Sequence, residues 1–203
     1  YDDLLPYVER LGNGEQDLLW PGKTKWFARS SGTTSTKSKF IPMSHESLFD
    51  TQYRAIKDIL AIYFKNNPSS RIFNGKALTL GGSHNINQFG NKALCGDLSA
   101  IMIENAPFYA EIVRIPGKKI ALKDDFEKKL ELITKSTIDQ NVTSFSGTPS
   151  WYLSLIKYIL NYTGKSNLTE VWPNLEVFFH GGISFSTYRE IYRQLIPGNQ
   201  MHY

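Results

Sequence analysis

The chain has 203 residues, of which 41% are hydrophobic and 13% aromatic, and its formal net charge is +4. This size suits one large domain, or a piece of a larger one, with a substantial apolar core. No apolar run approaches the ~20 residues that a membrane-spanning helix needs. The basic residues form no stripe interleaved with aromatic side chains, so neither a membrane nor nucleic acid is an expected partner. The single cysteine, Cys95, excludes an intrachain disulfide and favours a reducing, cytoplasmic compartment.

The first half of the chain predicts a short helix, a pair of short strands and one long helix. Residues 25–28 and 40–42 have extended character, and a polar segment separates them. Ser44 can cap a helix that continues to about residue 66. Four apolar residues of that helix recur at helical spacing, and we expect them to face a core. They are Ile56, Ile59, Leu60 and Tyr63.

The second half alternates between predicted strands and predicted helices. The strands cover residues 76–80, 142–145 and 175–179, and a further strand begins at Met201. The helices cover residues 123–139, residues 149–162 and a segment that Ser184 or Ser186 would cap. Such alternation is typical of βαβ units. The predicted fold class is therefore α/β, with a mixed, largely parallel sheet.

Three of these predicted strands end in glycine-bearing segments. The segments are Gly81-Gly82-Ser83, Ser146-Gly147-Thr148 and Gly181-Gly182-Ile183-Ser184. Ligands of parallel sheets bind at the carboxyl ends of the strands, and glycine lets the backbone approach a ligand closely. The alternative is that these glycines only permit tight turns. The coincidence of three such ends favours a shared ligand cleft.

A loop rich in hydroxyl groups lies between the first two predicted strands. Seven serines and threonines, one glycine and two lysines occupy residues 30–39. Backbone N–H groups and hydroxyls can donate to phosphate oxygens, and Lys39 adds positive charge. The mild positive charge of the chain also suits an anionic small molecule. The alternative is a solvated surface hairpin, since polar clusters between periodic segments are often plain loops.

Four segments together resemble the auxin-responsive acyl-acid amido synthetase family, within the acyl-adenylate-forming superfamily. They are Ser30-Ser31-Gly32-Thr33-Thr34-Ser35 with Lys39, Leu94-Cys95-Gly96-Asp97, Thr148-Pro149-Ser150-Trp151, and residues 172–185. The resemblance extends from about Leu4 to Tyr203. Within the family, the chain resembles the bacterial members. Many superfamily members have glycine where Thr36 stands, which implies a stiffer loop here.

The resemblance implies an enzyme that uses ATP and Mg²⁺ to adenylate a small carboxylic acid and then transfers the acyl group to an amine, typically an amino acid. It implies that the nucleotide is bound by Ser30, Ser31, Gly32, Thr33, Thr34, Ser35, Lys39, Gly181, Gly182, Ile183 and Ser184. It implies that the acid is bound by Arg54, Thr148, Pro149 and Ser150, and it leaves the roles of His84 and His180 open. The family's metal-binding glutamate would follow Tyr203. We therefore expect an incomplete N-terminal domain over residues 1–203, without the C-terminal lid domain, with no catalytic residue and no activity of its own.

Three other functions compete with this one. An acyl- or aryl-CoA ligase of the same superfamily would share the first half-reaction and differ in the acceptor. A P-loop phosphotransferase needs a glycine immediately before the lysine of its motif, and Thr36 stands before Lys37 here. A non-catalytic nucleotide-binding or interaction module would bind without turnover.

Overall fold

The structure is a computed structural model that describes residues 1–30, 39–83, 89–90, 92–198 and 201–203. The chain divides into two compact units. The first unit consists of Tyr1–Pro68 and Gly82–Asn105, and the second consists of Ser69–Gly81 and Ala106–Tyr203. The chain therefore leaves the first unit, returns to it at Gly82, and leaves it again at Ala106.

The strands in chain order are β1 Trp26–Arg29, β2 Phe40–Met43, β3 Lys76–Leu80, β4 Leu94–Gly96, β5 Arg114–Ile115, β6 Val142–Gly147 and β7 Val177–His180. The α-helices are α1 Leu5–Gly12, α2 Tyr53–Asn66, α3 Leu98–Glu104, α4 Phe108–Val113, α5 Lys118–Ala121, α6 Phe126–Thr137, α7 Pro149–Thr163 and α8 Arg189–Leu195. A π-helical segment, Ser47–Gln52, precedes α2, and short 3₁₀ turns occupy Ile72–Asn74 and Leu168–Glu170. None of the helices in these described ranges is long and apolar enough to cross a membrane.

The first unit contains a three-stranded sheet in the order β2-β1-β4. Strands β1 and β2 are antiparallel, with Arg29 opposite Phe40, whereas β1 and β4 are parallel. Phe27 on β1 is fully buried and packs in a cluster with Val8 and Leu11 of α1 and with Cys95 of β4. The predicted short helix and the two predicted strands around the hydroxyl-rich loop are confirmed.

The long helix forms where it was predicted, but its predicted buried face is partly wrong. Ser44 does cap its start, because the Ser44 hydroxyl accepts a hydrogen bond from the amide of Ser47 at 3.1 Å. Ile56 and Ile59 are 44% and 49% exposed, while Tyr63 is 8% exposed. Periodicity identifies the apolar side of a helix but not how much of that side other elements cover. The π-helical segment also changes the helical register ahead of α2, which the sequence did not indicate.

The second unit contains a four-stranded parallel sheet in the order β5-β3-β6-β7. His202 extends it beyond β7, because its amide donates to the carbonyl of Glu176 at 2.8 Å and its carbonyl accepts from the amide of Phe178 at 3.0 Å. Val177 and His202 form a parallel bridge. The strand predicted to begin at Met201 is represented by this pairing of His202 beside β7. The predicted fold class is confirmed.

Helix α7 packs its apolar face on this sheet. Tyr152, Ile156 and Ile159 are completely buried in the same cluster as Phe145 of β6 and Phe178 of β7. The ends of α7 follow the predicted local signals. Pro149 is its first residue, where no amide donor is needed, and Gly164 ends it in the left-handed conformation at φ 67°.

Helix α8 begins later than predicted, and neither Ser184 nor Ser186 caps it. It begins at Arg189, and residues 185–188 form a turn in which the amide of Tyr188 donates to the carbonyl of Phe185 at 2.9 Å. The two serine hydroxyls instead lie 2.8 Å from each other. Phe185 is 5% exposed, so burial of its ring holds this segment in a turn before the helix can begin.

Candidate functional site

The two ends of the hydroxyl-rich loop meet in the first unit. The amide of Ser30 donates to the carbonyl of Lys39 at 2.8 Å, which closes the β1–β2 hairpin. Both residues are half-buried, and the Lys39 ammonium lies 5.3 Å from the centre of the Tyr1 ring. The remaining predicted residues of this loop lie outside the described residues. They are Ser31, Gly32, Thr33, Thr34 and Ser35.

A polar cluster lies beside the start of that loop. The Arg29 guanidinium is 3.6 Å from the Asp97 carboxylate, and both side chains are 32% exposed. The other carboxylate oxygen of Asp97 accepts a hydrogen bond from the amide of Ser83 at 3.4 Å. The amide of Gly82 donates to the Ser99 hydroxyl at 2.9 Å. The segment Gly82-Ser83, predicted as a strand-end turn, is therefore held by side chains of the first unit.

Three strand ends of the second unit lie in one row. Leu80 pairs with Gly147, and Gly147 pairs with His180, so β3, β6 and β7 end at the same level of the parallel sheet. Gly147 has φ +155°, and a Cβ there would lie 2.6 Å from the carbonyl oxygen of Leu80. The predicted convergence of the strand ends is confirmed, and one of its glycines is required by close contact between strands.

Residues predicted for the acid and for the nucleotide are neighbours at this edge. A Cβ at Gly182 would lie 3.6 Å from the Thr148 hydroxyl oxygen, in ordinary van der Waals contact. Thr148 and Ser150 are half-buried. Pro149 is buried, and its carbonyl accepts a hydrogen bond from the Tyr192 hydroxyl at 2.7 Å. The pyrrolidine ring of Pro149 thus belongs to the core, whereas Thr148 faces the glycine segment.

The segment Gly181-Gly182-Ile183-Ser184 is exposed along its whole length. Gly182 has φ +85°, a conformation that favours glycine. Gly181 differs, because its φ is not in the left-handed region and no heavy atom of the described residues lies within 4 Å of the position its Cβ would take. Neither backbone strain nor packing within the described chain requires glycine at residue 181.

His180 is held as part of an aromatic stack. Its imidazole is stacked on Phe185 at 4.4 Å, and Phe185 is stacked on Tyr203 at 4.8 Å. Burial lowers the pKa of His180 by disfavouring the charged imidazolium, and the nearby Arg189 lowers it further. Because its ring is stacked on Phe185, His180 acts first as a packing group for the segment that follows β7.

A buried lysine that was not among the predicted site residues contacts the end of β3. Lys129 on α6 is 2% exposed, and its ammonium donates to the carbonyl of Gly81 at 3.3 Å. A signal was present, because Lys129 occupies the same helical face as Phe126, Leu130 and Ile133. A charged residue within an apolar helical face indicates a buried polar contact.

The other candidates occupy plain environments or lie outside the described ranges. Arg54 on α2 is exposed in the first unit. Cys95 is buried, and burial raises the pKa of its thiol, which makes it a weak nucleophile. His84 lies outside the described residues. Among the residues that the structure describes, no group of three or more histidine, cysteine, aspartate or glutamate side chains is arranged to hold a metal ion.

Relatives with known activity match this chain over part of their length. A jasmonoyl–L-amino acid synthetase, JAR6 of Nicotiana attenuata, is 35% identical over 79 residues, which are 38% of this chain and 13% of that protein. The solved structure of a GH3.15 acyl acid amido synthetase matches 97% of this chain with a TM-score of 0.67 at 15% identity. A structure of AtGH3.15 acyl acid amido synthetase in complex with 2,4-DB matches 99% of this chain with a TM-score of 0.74 at 16% identity.

The solved structures establish the fold, and the chain spans 44% of the length of each. The family described as GH3 family N-terminal domain matches residues 1–201, which is almost the whole chain. The predicted family resemblance is therefore confirmed: the chain belongs to the GH3 family, in the part described as its N-terminal domain.

Proposed function

We propose that this chain supplies nucleotide- and acid-binding residues to an enzyme that adenylates a carboxylic acid with ATP and then transfers the acyl group to an amine, an amino acid in particular. The named relatives are a jasmonoyl–amino acid synthetase and acyl acid amido synthetases, which supports this class of reaction.

The observation that carries the proposal is the open glycine at the edge of the parallel sheet. Gly181 follows a row of aligned strand ends, where ligands of such sheets bind. Neither its backbone conformation nor the described protein around it requires a glycine. A nucleotide lying against the backbone of residue 181 would require one, because any side chain would occupy the space of the base.

Each predicted group has a definite task in this reaction. Exposed backbone donors of residues 181–184 suit the base and sugar of ATP, and the Thr148 hydroxyl next to Gly182 suits the oxygens of the acid or of its adenylate. The loop closed by Ser30 and Lys39 suits the phosphates. Adenylyl transfer depends on such positioning and charge neutralisation more than on covalent participation of the protein. Mg²⁺ would add charge neutralisation on the phosphate oxygens, and no residue of this chain is assigned to it.

The test is acid-dependent exchange of pyrophosphate into ATP by the intact protein, measured with a panel of carboxylic acids. We expect exchange with at least one acid. Release of ADP and phosphate, with no exchange for any acid, would contradict adenylation. Adding amino acids and coenzyme A in separate reactions then distinguishes an amido synthetase from an acyl-CoA ligase by the product that forms.

A matched pair of glycine variants connects this assay to the structure. At both Gly181 and Gly117 the Cβ position meets no described atom within 4 Å, and neither has a φ in the left-handed region. Gly181→Val and Gly117→Val should therefore have similar, small effects on the free energy of unfolding. Only Gly181→Val should abolish exchange. Equal exchange by both variants would show that residue 181 does not approach the nucleotide.

A further inference from the structure

Asp97 connects two backbone segments of the first unit through its two carboxylate oxygens. Oδ1 lies 3.6 Å from a guanidinium nitrogen of Arg29, and Oδ2 accepts the hydrogen bond from the amide of Ser83 at 3.4 Å. The connection to Ser83 is reciprocal, because the amide of Asp97 donates to the Ser83 carbonyl at 3.3 Å. Asp97 therefore holds Ser83 by backbone and side chain together.

Gly82 is shaped to receive this carboxylate. A Cβ at Gly82 would overlap with the side chain of Asp97, so the missing side chain of the glycine leaves room for the aspartate. The amide of Gly82 donates to the hydroxyl of Ser99, the second residue of the helix that Asp97 precedes. Gly82 was predicted to lie in a glycine-bearing strand end at a ligand cleft, whereas within this unit its lack of a side chain accommodates Asp97.

The other end of the connection lies at the entry to the hydroxyl-rich loop. Arg29 is the last residue of β1, and Ser30 follows it directly. Ser30 and Lys39 then close the loop by a backbone hydrogen bond of 2.8 Å. A constraint on the Arg29 side chain is therefore a constraint on the point from which the loop departs.

We propose that Asp97 is a positioning residue for the nucleotide site, which fixes the start of the loop at residue 30 relative to the turn at residues 82–83. This inference rests on the proposed function, because it assigns the loop to the phosphates of ATP. Asp97 itself does not contact the nucleotide in this role. It acts through Arg29 and through the amide of Ser83.

Charge gives this proposal a diagnostic sign. An aspartate that merely lies near a polyanion repels it, so replacing that aspartate would strengthen ATP binding. An aspartate that positions the site has the opposite effect, because its loss leaves Arg29 and the entry at Ser30 less constrained, and ATP binding must then hold them in place. The direction of the change in ATP affinity therefore separates the two roles.

The experiment is calorimetric titration of ATP into the intact protein and its variants, with thermal unfolding of each variant measured alongside. Asp97→Ala should weaken ATP binding about tenfold, the equivalent of one lost hydrogen bond to a charged group. Asp97→Asn keeps an acceptor oxygen for the Ser83 amide, but a neutral and therefore weaker one, and it loses the charge that faces Arg29. The decrease in ATP affinity should therefore be smaller than in Asp97→Ala. Asp58→Asn is the control, since it removes the same charge from the exposed face of α2 in the same unit.

A double-variant cycle tests the connection to Arg29. In an Arg29→Ala background, Asp97→Ala should weaken ATP binding by less than it does alone, because the shared contact is already lost. If the unaltered protein binds ATP and Asp97→Ala binds it equally well or more tightly, the inference is wrong while the proposed function stands. If the unaltered protein binds no ATP, the proposed function fails and the inference fails with it.

If Asp97→Ala does not fold, the positioning role is tested with Asp97→Asn. In that variant, hydrogen exchange of the Ser83 amide is measured without ATP, and ATP affinity is measured as before. Faster exchange at Ser83 together with weaker ATP binding in Asp97→Asn supports the positioning role. Unchanged exchange and unchanged affinity overturn it.

Discussion

Replacing Tyr152 with phenylalanine should weaken the parallel sheet at the edge that carries the candidate site. The Tyr152 hydroxyl donates to the carbonyl of Leu78 on β3 and accepts from the amide of Ser146 on β6 at 3.3 Å. It therefore joins two neighbouring strands near their carboxyl ends. The substitution removes only this oxygen, and the ring can keep its contacts with Phe145 and Phe178, each at 4.7 Å between ring centres.

The expected loss in the free energy of unfolding follows from the burial of the hydroxyl and of its partner carbonyl. Tyr152 and Leu78 are both 0% exposed, so water cannot replace the lost hydroxyl at the Leu78 carbonyl. Leaving a buried polar group without its partner costs about 1–3 kcal/mol. We therefore expect the free energy of unfolding to fall by that amount. Because the apolar surface buried on folding does not change, the slope of this free energy against urea concentration should stay the same.

The measurement is urea unfolding of the chain, followed by tryptophan fluorescence, with amide exchange of β6 as a local probe. Tyr162→Phe is the control, because it removes a hydroxyl from the same helix at a residue that is 50% exposed. Its effect should stay within about 0.5 kcal/mol. If Tyr152→Phe unfolds at the same urea concentration as Tyr162→Phe, and the Ser146 amide exchanges at the normal rate, the hydroxyl does not join the strands.

Two further predictions concern the same sheet. Gly147→Ala should lower the free energy of unfolding by more than about 1 kcal/mol, because its Cβ would lie 2.6 Å from the carbonyl oxygen of Leu80; a urea midpoint equal to that of Gly181→Ala would contradict this. Burial raises the pKa values of Tyr152 and Tyr192, so both stay protonated in the folded state at pH values where unfolded tyrosine ionises. The folded state then binds more protons than the unfolded state above pH ~10, and stability should fall by up to about 1.4 kcal/mol per pH unit for each tyrosine. Below that pH their contribution is fully present, and Tyr152→Phe should flatten the alkaline fall measured by urea unfolding between pH 9 and about 11.

The sequence predicted the second unit well because its signals are local. Strand β3 was predicted with the bounds it has, and Pro149 and Gly164 mark the two ends of α7 by their own backbone preferences. The same kind of signal failed at Ser184, because a serine favours a helix start only where no buried side chain such as Phe185 fixes the preceding turn.

The candidate site was less predictable because its contacts join residues distant in sequence. The alternation of strands and helices was enough to predict that the glycine-bearing strand ends meet at one edge of the sheet. The contact of Asp97 with Arg29 did not, since nothing in either local sequence indicates the other residue. Lys129 is intermediate, because its place in an apolar helical face was visible while its acceptor, the Gly81 carbonyl, was not.

The discontinuous course of the chain has a consequence for its biosynthesis. Strand β3 leaves the ribosome between two segments of the first unit, and its long partner β6 is synthesised only after residue 141. Until then Leu78 and Leu80, which are buried in the folded state, have no complete sheet to enter. The strands described in the first unit, β1, β2 and β4, are all complete once Gly96 has been made, so we expect this unit to fold first. If translation paused after Gly96 and before β6, the nascent chain would have one folded unit and one unpaired apolar strand, β3. Chaperone binding and aggregation would compete for that exposed strand.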